Sequence, residues 1–127
     1  VMDINSFRLK KYDKVLTGIY SIVEAAAGRI VKVIIESCHW NNDEIKIACE
    51  IVKEAKAQFV KTSTGFSTYG AKYSQVKIIR QAVGDLFGVK ASGGVNTFND
   101  TIKMIEAGAN RIGTSSGVKI IQGINDS

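Results

Sequence analysis

The sequence predicts an α/β fold in which parallel strands form a sheet backed by helices, as in a closed barrel. Three observations carry this. Helical and strand-like periods alternate along the chain, lysines recur every 29 residues at Lys32, Lys61 and Lys90, and runs of small hydroxyl and glycine residues follow three of the strand segments. Parallel neighbours need a crossover connection, and a helix is the usual one.

Composition sets the outer bounds. The 127 residues are 45% hydrophobic and 23% charged, which suits a packed core rather than a disordered tail. The apolar runs are all too short for the roughly 20 residues a membrane helix needs, and the basic start Arg8, Lys10, Lys11 leads into an amphipathic stretch. A cytoplasmic protein that does not act at a membrane is expected. Cys38 and Cys49 are too few for a disulfide framework, and with His39 they fall short of a four-ligand zinc set. The net charge of +5 suits an anionic partner. Because the lysines are scattered over helix faces without interleaved aromatics, a phosphorylated metabolite fits better than nucleic acid.

The elements follow in order. A helix over residues 13–27 places Val15, Leu16, Ile19, Ile22, Val23 and Ala26 on one stripe, and Gly28 ends it. A strand over 30–36 follows. The next helix, 43–56, buries Ile45, Ala48, Ile51, Val52 and Ala55, and a strand covers 59–63. A third helix spans 74–86 and a strand 88–91. The fourth helix opens on Thr97 as N-cap with Asp100 three residues on, an acidic variant of the capping box, and carries Phe98, Ile102 and Ile105 before Gly108. A strand over 109–113 and a short helix over 118–122 complete the series. Residues 1–5 are taken as the tail of a preceding strand. Without a linker or low-complexity tract, the chain is one domain or a piece of one.

Strand alternation puts Lys32, Ile34 and Glu36 on one face, then Phe59, Lys61 and Ser63, then Gly88, Lys90 and Ser92. The opposite face holds Val31, Val33, Ile35, Val60, Thr62, Val89 and Ala91, which meet the helices. The lysines then point to the barrel interior. Equal spacing places Lys61 between Lys32 and Lys90. Ammonium groups about 6 Å apart repel by roughly 2 to 3 kcal/mol at an effective dielectric of 20. Burial acts in the same sense, so the middle lysine is expected to lose its proton most easily, and a free amine is what attack on an aldehyde requires. Lys61 is the candidate nucleophile.

Thr62-Ser63-Thr64-Gly65, Ser92-Gly93-Gly94-Val95 and Gly113-Thr114-Ser115-Ser116-Gly117 each follow a strand. In a parallel barrel such loops gather at the C-terminal face, where they offer amides and hydroxyls to an anion.

In combination these motifs resemble the deoxyribose-phosphate aldolase family. Val60-Lys61-Thr62-Ser63-Thr64-Gly65-Phe66 is similar to its Schiff-base strand and Val89-Lys90-Ala91-Ser92-Gly93-Gly94-Val95 to its second lysine strand. Arg111-Ile112-Gly113-Thr114-Ser115-Ser116 resembles its phosphate loop, and Val31-Lys32-Val33-Ile34-Ile35-Glu36 its fifth strand. The resemblance implies a (β/α)8 TIM barrel of which residues 1–127 form the C-terminal half, from the end of the fourth strand onward. It implies reversible cleavage of 2-deoxyribose 5-phosphate to acetaldehyde and glyceraldehyde 3-phosphate, with Lys61 as imine former and Lys90 as the cation that keeps it unprotonated. Phosphate would be held at Thr64, Gly65, Phe66, Gly93, Gly94, Val95, Gly113, Ser115 and Ser116, and neither metal nor organic cofactor is needed.

The family's proton-shuttling aspartate would lie just before Val1. Asp3 is the nearby carboxylate, where relatives tend to have asparagine. The expected partners are therefore phosphorylated sugar and aldehyde substrates, the missing N-terminal segment of the same enzyme, and a second copy if the enzyme is a homodimer. The alternatives are a non-catalytic phosphate-binding half-barrel and an inactive proteolytic remnant.

Overall fold

The computed structural model describes residues 1–124. Four parallel strands, β1 (Lys32–Ile34), β2 (Phe59–Lys61), β3 (Gly88–Ser92) and β4 (Arg111–Gly113), form one sheet in the order β1-β2-β3-β4. Helices α3 (Asn42–Glu54), α4 (Tyr73–Val83) and α5 (Phe98–Ala107) connect them, preceded by α1 (Ile4–Arg8) and α2 (Tyr12–Ala25) and followed by α6 (Gly117–Gln122). Sequential order with helical crossovers is the arrangement of a barrel segment.

The core lies between one sheet face and the helices. Val33, Ile35, Val60, Thr62, Val89 and Ala91 are buried on that face, as alternation requires. From α3 they meet Ile45, Ala48, Ile51, Val52 and, just past its end, Ala55, so that stripe is as predicted. The helix starts with a full capping box between Asn41 and Glu44, so it begins at Asn42, one residue before the expected start. The Thr97/Asp100 box is formed, and Gly108 ends α5 at φ +119°. Arg80 of α4 clips the far end of the barrel segment, donating to the carbonyls of Gly108, Gly84 and Phe87 and to Asn110 Oδ1.

Three expectations need correction. Residues 1–5 are not simply a strand tail: only Met2 joins the β1 edge, its amide donating to Ile34 O at 3.0 Å, after which Asp3 caps α1 by accepting from Ser6 N and Oγ. Ile22 is exposed, because α2 turns Val15 and Ile19 inward. In α5 the buried residues are Met104 and Ala107, whereas Ile102 and Ile105 are exposed. An apolar residue on each flank of a helix leaves its phase open, and here the flank carrying Met104 and Ala107 is the one that turns inward.

Candidate active site

The other sheet face carries the cations, and hydrogen-bond register sets their levels. Lys61 pairs with Lys90 on β3, and Lys90 with Arg111 on β4. On the β1 side the partner of Lys61 is Ile34, while Lys32 pairs with Phe59 one pleat lower. The expected row with Lys61 at its centre is therefore wrong. Lys90 stands at the centre, between Lys61 and Arg111. Equal sequence spacing does not encode register, because the connections of β1 to β2 and of β2 to β3 absorb different numbers of residues. Burial, first, and then the charges of Lys61, Lys32 and Arg111 hold the Lys90 ammonium below the ordinary lysine value.

Beneath this level the Phe59 ring lies between two cations, with Lys32 Nζ 5.8 Å and Arg111 Cζ 4.6 Å from its centroid. Gly88 makes that possible, since a Cβ there would lie 2.5 Å from the Phe59 ring. Gly113 does the same service above: a Cβ would come within 2.9 Å of Ser92 Cβ and 3.0 Å of Lys90 Cε.

The loops at the C-terminal ends of the strands are tied to one another. Thr62 Oγ1 donates to Ser92 O and accepts from Ser92 N, each at 3.1 Å, and Ser92 Oγ donates to Ser63 O at 2.7 Å. Gly70 and Gly93 touch so closely that a Cβ at Gly70 would lie 2.2 Å from the Gly93 carbonyl. Gly65, Gly93 and Gly94 have φ of +94°, +78° and +74°, a backbone that side chains with a Cβ rarely take. Thr114 Oγ1 donates to Val95 O at 2.6 Å and accepts from Ser116 N at 3.0 Å, joining the last two loops.

These loops and the lysine pair enclose a cavity of about 720 Å³. Of the residues singled out in the sequence, Lys61, Lys90, Thr64, Gly65, Phe66, Gly93, Gly94, Val95, Gly113 and Ser115 line it. Ser116 does not; it lines a neighbouring depression with Ser115, Gly117 and Lys119. The Phe66 amide is also less available than expected, because it donates to Thr64 Oγ1 at 3.1 Å. Ser92, Asn96 and Thr114 also line the cavity; Ser92 and Thr114 sit inside the quoted loop motifs and Asn96 directly follows one. A half-enclosed space with two amines at its floor and glycine-rich backbone at its rim can bind an anion and form an imine with a carbonyl.

Comparison with known proteins agrees with this geometry. The family model described as DeoC/LacD family aldolase matches residues 13–123. The deoxyribose-phosphate aldolase of Clostridium tetani is 53% identical over 123 residues, covering 96% of this chain and 57% of that protein. That of Thermotoga maritima is 52% identical over 123 residues, covering 97% and 50%. Among solved structures, the aldolase QR15 superposes with a TM-score of 0.93 at 41% identity, over 99% of this chain and 57% of its own. A tetrameric deoxyribose phosphate aldolase from Aeropyrum pernix gives 0.84 at 35%, over 90% and 50%. The chain thus spans about half the length of the relatives it matches. With paired inward lysines, the loops that follow them and the family match all falling on the same residues, the chain belongs to the DeoC/LacD aldolase family.

Proposed function

We propose that this chain supplies the C-terminal part of a single-domain (β/α)8 barrel that acts as a cytoplasmic deoxyribose-phosphate aldolase. The observation that carries the reading is the in-register pair Lys61–Lys90 on the floor of a cavity rimmed by Gly65, Gly93, Gly94 and Ser115. An amine attacks the C1 aldehyde of 2-deoxyribose 5-phosphate and loses water to give an iminium ion. The C3 hydroxyl then gives up its proton, the C2–C3 bond breaks, and its electron pair passes into the iminium as an enamine. Glyceraldehyde 3-phosphate leaves; protonation at C2 and hydrolysis release acetaldehyde and the free amine. Lysine chemistry suffices, so no metal or organic cofactor is invoked.

Lys61 is assigned the attacking role because it heads Thr62-Ser63-Thr64-Gly65 in the strand that resembles the family's Schiff-base strand. Lys90 is assigned an electrostatic role beside it. Free amides at the loop rim, with Ser115, hold the phosphate. The rest of the barrel, and the aspartate expected there for proton transfer, belong to the N-terminal segment, and a homodimer is the simplest assembly to test.

Borohydride reduction of the complete barrel with acetaldehyde tests this reading. A two-carbon adduct on the peptide containing Lys61 is expected. An adduct on Lys90 would reverse the two roles, and the absence of any adduct would remove the aldolase reading.

A further inference from the structure

We infer that Glu36 is a positioning residue for the substrate's anionic end, acting by clamping Thr64 and thereby setting the backbone of the loop that follows Lys61. The substrate named here rests on the aldolase reading above; the clamp rests on geometry alone.

Glu36 lies two residues beyond the C-terminal end of β1 and is only 3% exposed. Its backbone is left-handed, with φ +53° and ψ +62°, a conformation unfavourable for a residue with a Cβ. A buried carboxylate is costly unless it is paired with a cation or well supplied with hydrogen bonds. Glu36 has no ion pair among the described residues. Both of its oxygens go instead to one residue: Oε1 accepts from Thr64 N at 2.9 Å and Oε2 from Thr64 Oγ1 at 2.6 Å. An apolar side chain would fill the space with less desolvation on the same backbone, so packing does not account for the carboxylate. Its two-point grip on a cavity-lining residue does.

The grip is passed on. Having given its only proton to Glu36, the Thr64 hydroxyl accepts from Phe66 N at 3.1 Å. The amides on either side of Gly65 are thus held, while the Gly65 amide donates to no group among the described residues, and Gly65 itself lines the cavity. The far end of the loop is pinned separately: Ala71 N donates to Ser92 O and Gly93 O at 3.0 and 2.9 Å, and Gln75 Nε2 donates to Tyr69 Oη at 3.1 Å. Glu36 is the anchor of the near end. Because Thr64 has no proton left to donate, it serves the substrate through the backbone it fixes.

In the complete barrel, Glu36→Gln and Thr64→Val should each weaken inorganic phosphate binding about tenfold or more, the scale of losing a hydrogen bond to a charged group. Each should also lower kcat/KM at least about ten times more for 2-deoxyribose 5-phosphate than for unphosphorylated 2-deoxyribose, mostly through KM. Thr64→Ser, which keeps the hydroxyl, should restore most of the loss. The double variant should be little worse than either single one, since both break the same chain of contacts. Unchanged phosphate affinity in Glu36→Gln and in Thr64→Val, or equal losses on the two sugars, would overturn the inference. If Glu36→Gln fails to fold, Thr64→Val and Thr64→Ser read the same contacts. Failure of the aldolase reading is distinguished by a wild-type protein that binds phosphate but gives no borohydride adduct with acetaldehyde; the phosphate arm then decides the clamp.

Discussion

Lys61 and Lys90 stand directly opposite one another on adjacent parallel strands, and the charge of Lys61 is the largest electrostatic influence lowering the Lys90 pKa after burial itself. Replacing Lys61 with Met should therefore raise the Lys90 pKa. It should remain below the ordinary 10.5, because burial, Lys32 and Arg111 still disfavour the ammonium. With its folded pKa depressed, Lys90 binds fewer protons in the fold than in the unfolded chain, so stability rises with pH from its folded value up to 10.5. The variant should narrow that window from below. Nuclear magnetic resonance of reductively methylated lysines reads the Lys90 titration; an unmoved midpoint would show that the pair is not coupled.

Gly113 gives Lys90 its room. Alanine there would bring a Cβ to 2.9 Å from Ser92 Cβ and 3.0 Å from Lys90 Cε, and the lysine stem is the part free to move. Overpacking of this kind costs about 1 to 3 kcal/mol. A displaced amine costs more in rate: a misplacement of about 1 Å lowers activity on the order of a hundredfold. Gly113→Ala should accordingly lose turnover well beyond its loss in thermal stability. A variant with nearly normal kcat would mean that Lys90's position is not critical.

The two serines of the last loop are predicted to differ. Ser115 lines the cavity between the strands and Ser116 does not. A negative charge about 5 Å from a bound phosphate costs roughly 3 kcal/mol at an effective dielectric of 20, over a hundredfold in affinity. Ser115→Asp should impose that penalty on 2-deoxyribose 5-phosphate and spare unphosphorylated deoxyribose, while Ser116→Asp should do so more weakly. Kinetics with both sugars check it, and a larger effect at Ser116 would move the anion site toward α6.

What could be read from the sequence follows from what local patterns encode. Alternation fixed which side of each strand faces the helices, so Val60, Val89 and the inward Lys61 and Lys90 were legible. The Ile45-Ala48-Ile51-Val52-Ala55 stripe was legible because α3 has polar residues on its other flanks. Register was not, since it depends on how many residues the connections take up, and this moved Lys32 down a pleat and brought Arg111 into line with Lys90. Glu36 was placed on the inward face, but its left-handed turn and its grip on Thr64 are set by a strand distant in sequence. Phe59's stack with Arg111 was hidden for the same reason: it passes over Gly88, whose role appears only once three strands are side by side.

The last prediction concerns residues 1–127 expressed alone: they should not cleave 2-deoxyribose 5-phosphate at rates typical of enzymes, roughly 1 to 10³ s⁻¹. The sheet has two edges, β1 and β4, where a closed barrel has none. Among the described residues only the Met2 amide covers part of the β1 edge, by its bond to Ile34 O at 3.0 Å. Lys32 and Arg111 are exposed and Lys61 and Lys90 only half-buried, so the field acting on the lysine pair is screened by water that a closed barrel would exclude. The carboxylate nearest the N-terminus, Asp3, is committed to capping α1 through Ser6 and is poorly placed to relay protons. Loss of general acid–base assistance alone lowers rates by roughly 10² to 10⁴. Unpaired edges should also make the isolated chain self-associate. Sedimentation and an aldehyde-release assay test both parts, and adding the complementary N-terminal segment should restore activity along with a monodisperse species. A monomeric preparation of the 127 residues with full turnover would show that an open, four-stranded sheet is sufficient for the chemistry.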